Sequence, residues 1–422
     1  MMARLATTVT KSIEDYRGPA GDDAVDEIRR LAEPFAGARV LHVNSTVYGG
    51  GVAEILSTLV PLMRDVGLKA DWSTMDGTPE FFAFTKNLHN ALQGSEAALP
   101  GISVSTGISA YIELNAAEAE QISCACGEYD FVVVHDPQPA PLIQYLRHRL
   151  GEKTKWIWRC HIDLSSPVPG SWNLIMPFVE QYDASIFTAA AYVKEGIGSE
   201  HVVIIPPSID PLSPKNVEIP AVACKHIIAG YGVDPNRPLL VQISRFDPWK
   251  DPLGVIDSYR LVRKEVPEVQ LALVGSMAAD DPEGVEYYCK TLEHAAGDRD
   301  VHILSNLHGV GNADVNAFQT AADVVIQKSV REGFGLTVSE SLWKAKPVVA
   351  SNVGGIPIQI QDGRSGFLVS SVQECAEKAL MLLGDMDLRR QIGVSGREHV
   401  RRNFLSTRHL ADYLRLFAGL RG

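Results

Sequence analysis

Short apolar runs separated by helix-period segments recur along this chain of 422 residues. From Arg39 they read RVLHVNS, KADWSTM, DFVVVHD, KWIWRCHID, ASIFTA and HVVIIPPS. Runs this short, rich in β-branched and aromatic residues, predict strands, and their alternation with helices predicts parallel strands joined by helical crossovers. After a polar, proline-bearing stretch at 210–219 the pattern restarts: PLLVQISRF, VQLALVG, DVHILSN, DVVIQKS, PVVASNVGG and GFLVS. These strands are apolar almost throughout, as expected of sheets covered by helices on both faces. The fold class is therefore α/β, with two facing Rossmann-like domains. Ligands in such sheets bind outside the carboxyl ends of the strands, so an active-site cleft is expected between the domains.

The domains are expected at 1–214 and 215–401. Before the first strand, Val25, Ile28 and Leu31 have helical spacing and predict a leading helix or two. At the other end Leu410, Tyr413, Leu414 and Phe417 form one apolar face. That final helix, about 402–422, is expected to pack back on the first domain.

The length agrees with two domains, since single domains usually stop near ~100–200 residues. No apolar run approaches the ~18 residues of a membrane span, and MMARLATTVTKSIEDY has no apolar stretch of a secretory kind, so a cytoplasmic location is expected. A net charge of -12 argues against nucleic acid and anionic membranes as partners. It leaves room for an anionic small substrate if a few cations gather at one place. Cysteines 124, 126, 160, 224, 289 and 375 contain one close pair, which makes neither a disulfide framework nor a four-ligand zinc site. Buried free thiols are expected.

Three segments could carry chemistry. Tyr48-Gly49-Gly50-Gly51 lies between the first strand and a helix with Val52, Ile55, Leu56, Leu59 and Met63 on its apolar face. Bare backbone N–H groups at a helix start suit an anion, whereas a glycine run by itself more often marks a tight turn. It is not G-x-G-x-x-G, so a nicotinamide dinucleotide fingerprint is absent. The second segment, SRFDPWKD, places Arg245 and Lys250 in one loop after a strand. Such a pair can hold a diphosphate or be ordinary surface charge; Asp251 before Pro252 has the form of a helix cap. In the third, REGFGLTVSE, Gly333 and Gly335 allow close backbone approach, Phe334 can shield a ligand from water, and Glu332 can grip sugar hydroxyls. Glu340 stands at capping-box spacing from Thr337 and could simply secure the helix.

Two glutamates at 332 and 340, preceded by the Arg245 and Lys250 loop, resemble the retaining glycosyltransferases of the glycogen-synthase and sucrose-synthase type. The resemblance implies that Glu332 binds the donor glucose, that the Gly333, Phe334, Gly335 and Leu336 backbone lies beside the diphosphate, and that Glu340 binds the ribose. Arg245, Lys250 and the Gly49, Gly50 and Gly51 N–H groups would stabilise the leaving group. In the first half, Asp136 of HDPQP resembles the carboxylate that binds the acceptor sugar in trehalose-forming relatives, and His161 of CHID the histidine beside the transferred glucose; either residue alone could be structural. HVNSTVYGGGVAEIL, EFFAFTKNLHNALQG, HDPQPA, WRCHIDLSSP, PPSIDPLS and RFDPWKDP together are similar to the glycosyltransferring trehalose synthases, from about Arg39 to the end. The segment around Phe81 to Gln93 separates them from the wider superfamily, with His89 and Gln93 as further acceptor contacts.

That resemblance implies glucosyl transfer from a nucleoside-diphosphate glucose to glucose, with retention. The cleft loops show no paired acidic motif of the metal-dependent transferase type, so neither a protein-held metal nor another required cofactor is expected; magnesium would act through the diphosphate. Loss of Lys250 is expected to cut turnover more than loss of a ribose contact. The rival readings are a trehalose phosphorylase, a nucleotide-sugar 2-epimerase on the same fold, and a silent sugar-nucleotide sensor. The donor's nucleobase and the oligomeric state, a homodimer included, stay open.

Overall fold

Alternate residues of a strand point to opposite faces of its sheet, and in the first half of the chain the two faces have different chemistry. Leu41, Val43, Val132, Val134, Trp156 and Trp158 belong to one apolar core, whereas His42, His135 and Arg159 occupy the intervening positions and are also buried. The computed structural model describes residues 6, 9–47, 50–103, 105–125, 127–197, 202–277 and 282–421. It divides into two compact units, Met1–Ser208 with Ser406–Gly422, and Ile209–Leu405. All the apolar runs named above form strands.

In the first unit β1 (Arg39–Asn44), β2 (Lys69–Thr74), β3 (Phe131–His135), β4 (Lys155–Arg159), β5 (Ala184–Phe187) and β6 (Val202–Ile204) make one sheet in the order β2-β1-β3-β4-β5-β6. Every pairing is parallel. On the Leu41 face lie Phe81, Phe84 and Leu88 of the helix Pro79–Leu92, together with Trp172 and Ile175 of the helix Ser171–Val179. The final helix, Ser406–Arg421, packs against the helices Asp22–Ala32 and Gly51–Asp65 of this same unit. Its Leu410, Tyr413, Leu414 and Phe417 are all buried, each apolar side chain contributing roughly 1.5–3 kcal/mol. Phe417 stacks on Phe131 with ring centroids 4.1 Å apart. In Asp22–Ala32, Val25 and Ile28 are buried, but Leu31 is only partly so and Ala32 takes the next inward place.

The second unit contains β7 (Leu239–Ile243), β8 (Gln270–Gly275), β9 (Val301–Ser305), β10 (Val324–Gln327), β11 (Val348–Ser351) and β12 (Phe367–Val369). Their order is β12-β11-β10-β7-β8-β9, again wholly parallel. Its core gathers Leu240, Leu271, Leu273, Val324, Ile326 and Val349 with Val255, Ile256 and Tyr259 of the helix Pro252–Glu265. The division falls after Ser208 rather than at 214 because the connecting stretch is tied into the second unit. Asn316 donates to the carbonyls of Pro214 and Val217, and the Trp343 indole donates to the carbonyl of Asn216. The expectation of buried thiols is corrected in part: Cys160, Cys224 and Cys375 are buried, Cys124 and Cys289 are exposed, and Cys126 lies outside the described residues. No helix among the described residues is long and apolar enough to cross a membrane.

Candidate functional site

Read from β9, the second sheet has the order 3-2-1-4-5-6 of a dinucleotide-binding fold, with the chain reversing direction between β7 and β10; ligands of such sheets bind at that switch point. The first sheet has its switch point between β1 and β3, as in the flavodoxin-like order. Gly50 and Gly51 follow β1, Asp136 follows β3, Arg245 and Lys250 follow β7 and Glu332 follows β10, whereas His161 follows β4 and His89 and Gln93 end the helix after β2; they form two separate groups, one in each unit.

In the second unit, Lys250 after β7 and Glu332 after β10 form an ion pair, Nζ to Oε2, at 2.6 Å. Their side chains are 16% and 9% exposed. The loops that carry them are pinned together: Val330 N–H donates to the Trp249 carbonyl at 2.7 Å, and Gln242 Nε2 to the Lys250 carbonyl at 2.8 Å. The Ser329 hydroxyl also donates to Glu332 Oε2, at 3.1 Å. Asp251 caps the following helix by accepting from Gly254 N–H at 3.0 Å, with Pro252 in the first turn, and pairs with Lys328. Arg245 is apart from this pair: its guanidinium is 63% exposed and lies 3.0 Å from Asp247. Burial pushes the Asp247 carboxyl up, against Arg245 and Lys250, and Glu332 pushes it the same way as burial.

Gly335 has φ +83° and begins the helix Leu336–Trp343, which has no side-chain cap. Its first N–H groups are of the kind that bind anions. Gly355 lies against the same loop, donating its N–H to the Glu332 carbonyl at 3.0 Å; a Cβ there would stand 2.4 Å from the Gly333 carbonyl oxygen. Phe334 is buried and packs on Phe404, ring centroids 5.6 Å apart. Glu340 does not cap this helix. Its side chain is fully buried, with Oε2 accepting from Gln319 at 3.1 Å. Oε1 has Lys215 Nζ at 3.6 Å and accepts no hydrogen bond among the described residues.

In the first unit, Gly50 (φ +83°) precedes the helix Gly51–Asp65, whose start likewise has no side-chain cap; Tyr48 and Gly49 lie outside the described residues. Asp136 follows β3 in the left-handed region, φ +66°. Its carboxylate accepts from the His161 backbone N–H at 2.7 Å. Burial pushes this carboxyl up to about 7, opposed by that hydrogen bond and by the charge of Arg159. Behind them runs a chain of rings: His42 Nδ1 to His135 Nε2 at 3.0 Å, and His135 Nδ1 to His161 Nε2 at 3.0 Å. Burial holds His42 down at about 3. It also holds His135 and His161 well below the usual imidazole range, with Arg159 acting in the same sense. His89 and Gln93 sit one turn apart at the end of the helix Pro79–Leu92, which packs on the other face of the sheet, and they bond to each other at 2.5 Å.

The sequence reading missed Asp247, Lys328, Ser329, Gln319 and Lys215 as supports, and Arg159 entirely. Arg159 is a lone cation inside the apolar run KWIWRCHID, and that was the available signal. All of its guanidinium nitrogens are buried without a partner among the described residues.

Two doubly wound domains, with Asp136, Lys250 and Glu332 after strands at their switch points, and a match over residues 225–399 to the model for group 1 glycosyl transferases define a glycosyltransferase of the two-Rossmann-domain (GT-B) class. Within that class the chain belongs to the trehalose synthase family, whose N-terminal domain model matches residues 42–194. It is 52% identical over 412 residues to the trehalose synthase of Rubrobacter xylanophilus, covering 98% of each chain. It is 29% identical to the trehalose phosphorylase of Grifola frondosa, over 92% of this chain and 58% of that protein. Among solved structures, a UDP-forming α,α-trehalose-phosphate synthase from Burkholderia xenovorans shares the fold with a TM-score of 0.71 at 15% identity, over 92% of this chain and 100% of the other. The chemistry is thus trehalose-related glycosyl transfer.

Proposed function

We propose that this protein transfers a glucosyl group from a nucleoside-diphosphate glucose (ADP-, UDP- or GDP-glucose) to free glucose, giving α,α-trehalose and the nucleoside diphosphate with retention of configuration. The observation that carries the nucleotide-sugar reading is Glu340 Oε1, a buried carboxylate oxygen that accepts no hydrogen bond within the described residues. Its counter-charge is Lys215 Nζ at 3.6 Å, beyond hydrogen-bond distance, and a ribose hydroxyl would supply the hydrogen bond that this oxygen lacks.

In this reading Glu332 holds hydroxyls of the transferred glucose while Lys250 stands beside the diphosphate. The uncapped start of the helix at Leu336, with the Gly333, Phe334 and Gly335 backbone before it, meets the phosphate oxygens. Arg245, largely exposed and only 3.0 Å from Asp247, adds a second cation. The N–H groups of the Gly49 to Gly51 loop act on the same charge. His161 and Asp136 contact the sugars, with His89 and Gln93 on the acceptor side.

A retaining reaction through a covalent intermediate needs a free carboxylate nucleophile. Glu332 is engaged by Lys250 and Ser329 and is better suited to binding. We therefore assign a front-face substitution. The bond from the anomeric carbon to the diphosphate breaks, the bond to the acceptor oxygen forms on the same face, and the acceptor proton passes to the departing diphosphate oxygen. No protein-held metal takes part, and magnesium acts on the diphosphate itself.

The test is incubation of the purified protein with glucose and each nucleotide sugar, with the disaccharide identified by NMR and released nucleotide counted. Stoichiometric α,α-trehalose supports the proposal and ranks the donors. Trehalose cleavage that requires phosphate, with no disaccharide from any nucleotide sugar, would transfer the assignment to a phosphorylase.

A further inference from the structure

The chain His42, His135, His161 leaves a single choice of proton arrangement. Three neutral imidazoles carry three ring protons, and the two ring-to-ring hydrogen bonds at 3.0 Å use two of them. Because both nitrogens of His135 are bonded to other rings, it donates through one and accepts through the other. The third proton must then sit at one end of the chain, on His42 Nε2 or on His161 Nδ1. His42 Nε2 is buried with no partner among the described residues. Orphaned buried N–H groups are rarer than orphaned acceptors, so a bare nitrogen is the less costly state at this end of the chain. His161 is only partly buried, and its backbone N–H donates to the Asp136 carboxylate of the neighbouring loop.

We propose that His42 and His135 are positioning residues that hold His161 as its Nδ1–H tautomer, so that His161 presents a hydrogen-bond donor to a sugar oxygen. The last clause rests on the reading above; the tautomer does not. Three stacked or tilted rings, with centroids 5.3 Å apart at each step, hold the orientation. The charge of Arg159 beside His135 and His161 disfavours a fourth proton. His161 is thereby a fixed donor and not a general base, in keeping with a proton that leaves on the diphosphate.

Long-range 1H–15N spectra of imidazole-labelled protein read the tautomers directly, with assignments from His161→Ala and His42→Asn. The expected result is Nδ1 protonated and Nε2 bare in all three rings; Nε2–H at His161 overturns the proposal whatever the activity. His42→Asn keeps an amide N–H where Nδ1 stood and should leave kcat within about threefold. His42→Ala frees the chain and should lower kcat about tenfold, the equivalent of one hydrogen bond (~1.4 kcal/mol). Equal loss in both variants, with His161 still Nδ1–H, would reduce His42 to a packing role and overturn its assignment. Normal turnover by His161→Ala would overturn the substrate contact alone and leave the tautomer assignment supported.

Discussion

Lys250→Met separates what the Lys250 and Glu332 pair does for the fold from what it does for the reaction. Methionine keeps most of the stem volume and removes the charge. Glu332 would retain the Ser329 hydroxyl at 3.1 Å but lose the ammonium at 2.6 Å. Removing one partner of a fully buried pair costs about 3–5 kcal/mol. Residual exposure of both side chains, 16% and 9%, and the remaining hydrogen bond lower this to about 1–3 kcal/mol. For a unit of this size ~2 kcal/mol corresponds to a fall in Tm of roughly 4–8 °C.

Adding Glu332→Gln removes the stranded charge, so the double variant should regain at least about half of that loss in urea unfolding. Turnover should behave in the opposite way. If Lys250 stabilises the departing diphosphate, its loss costs about 3 kcal/mol of transition-state stabilisation, on the order of 10²–10³ in kcat, and Glu332→Gln restores none of it. Trehalose formation followed by NMR gives the second readout. A folded Lys250→Met protein with kcat within about threefold of the parent would refute the leaving-group role. A double variant less stable than Lys250→Met would refute the stranded-charge account.

Asp136 gives a dependence on pH. Its carboxyl rises from the ordinary 3.8 to about 7 in the fold, so the native state binds a proton that the unfolded chain has released. The contribution is fully present below about pH 4 and is lost as pH rises through about 7, on the order of 4 kcal/mol and less where water reaches the group. The buried histidines, held neutral, act in the opposite sense, so the test is the difference from the parent: Asp136→Asn should gain stability relative to it as pH rises from 4 to 8, and a difference independent of pH would contradict the assignment. Glu340→Gln keeps the shape of the side chain but removes the charge and one acceptor. It should raise KM for the nucleotide sugar about five- to tenfold with kcat nearly unchanged; an unaltered donor KM would remove Glu340 from the nucleotide site. Gly355→Ala places a Cβ 2.4 Å from the Gly333 carbonyl oxygen and 2.9 Å from the Phe334 Cα. The loop must move, at about 1–3 kcal/mol, so thermal unfolding should fall and donor KM rise together; a variant with both unchanged would show that the loop does not need its observed path.

The strands were legible because burial on both faces of a parallel sheet writes itself as short apolar runs, and RVLHVNS, KWIWRCHID and PVVASNVGG are each long enough to be read alone. The cap at Asp251 was legible for a local reason as well, since Asp-Pro at a helix start is satisfied by neighbours in sequence. Glu340 was ambiguous on the same local rule. Its spacing from Thr337 fits a capping box, but the helix begins at Gly335 without a side-chain cap, and the carboxylate turns inward to Gln319 and Lys215.

What local rules cannot supply is pairing across a sheet. Lys250 and Glu332 are 82 residues apart and meet because β7 and β10 are neighbours; no spacing within either loop encodes that. The histidines show the limit more sharply. Each follows or occupies a strand where a single His is usually structural, and His42 is read along β1 as one polar position in RVLHVNS. Only the order β1-β3-β4 stacks His42, His135 and His161 into one hydrogen-bonded line. A property such as the tautomer of His161 therefore belongs to the order of the strands, and a one-residue slip of β3 would turn His135 to the apolar face and erase it.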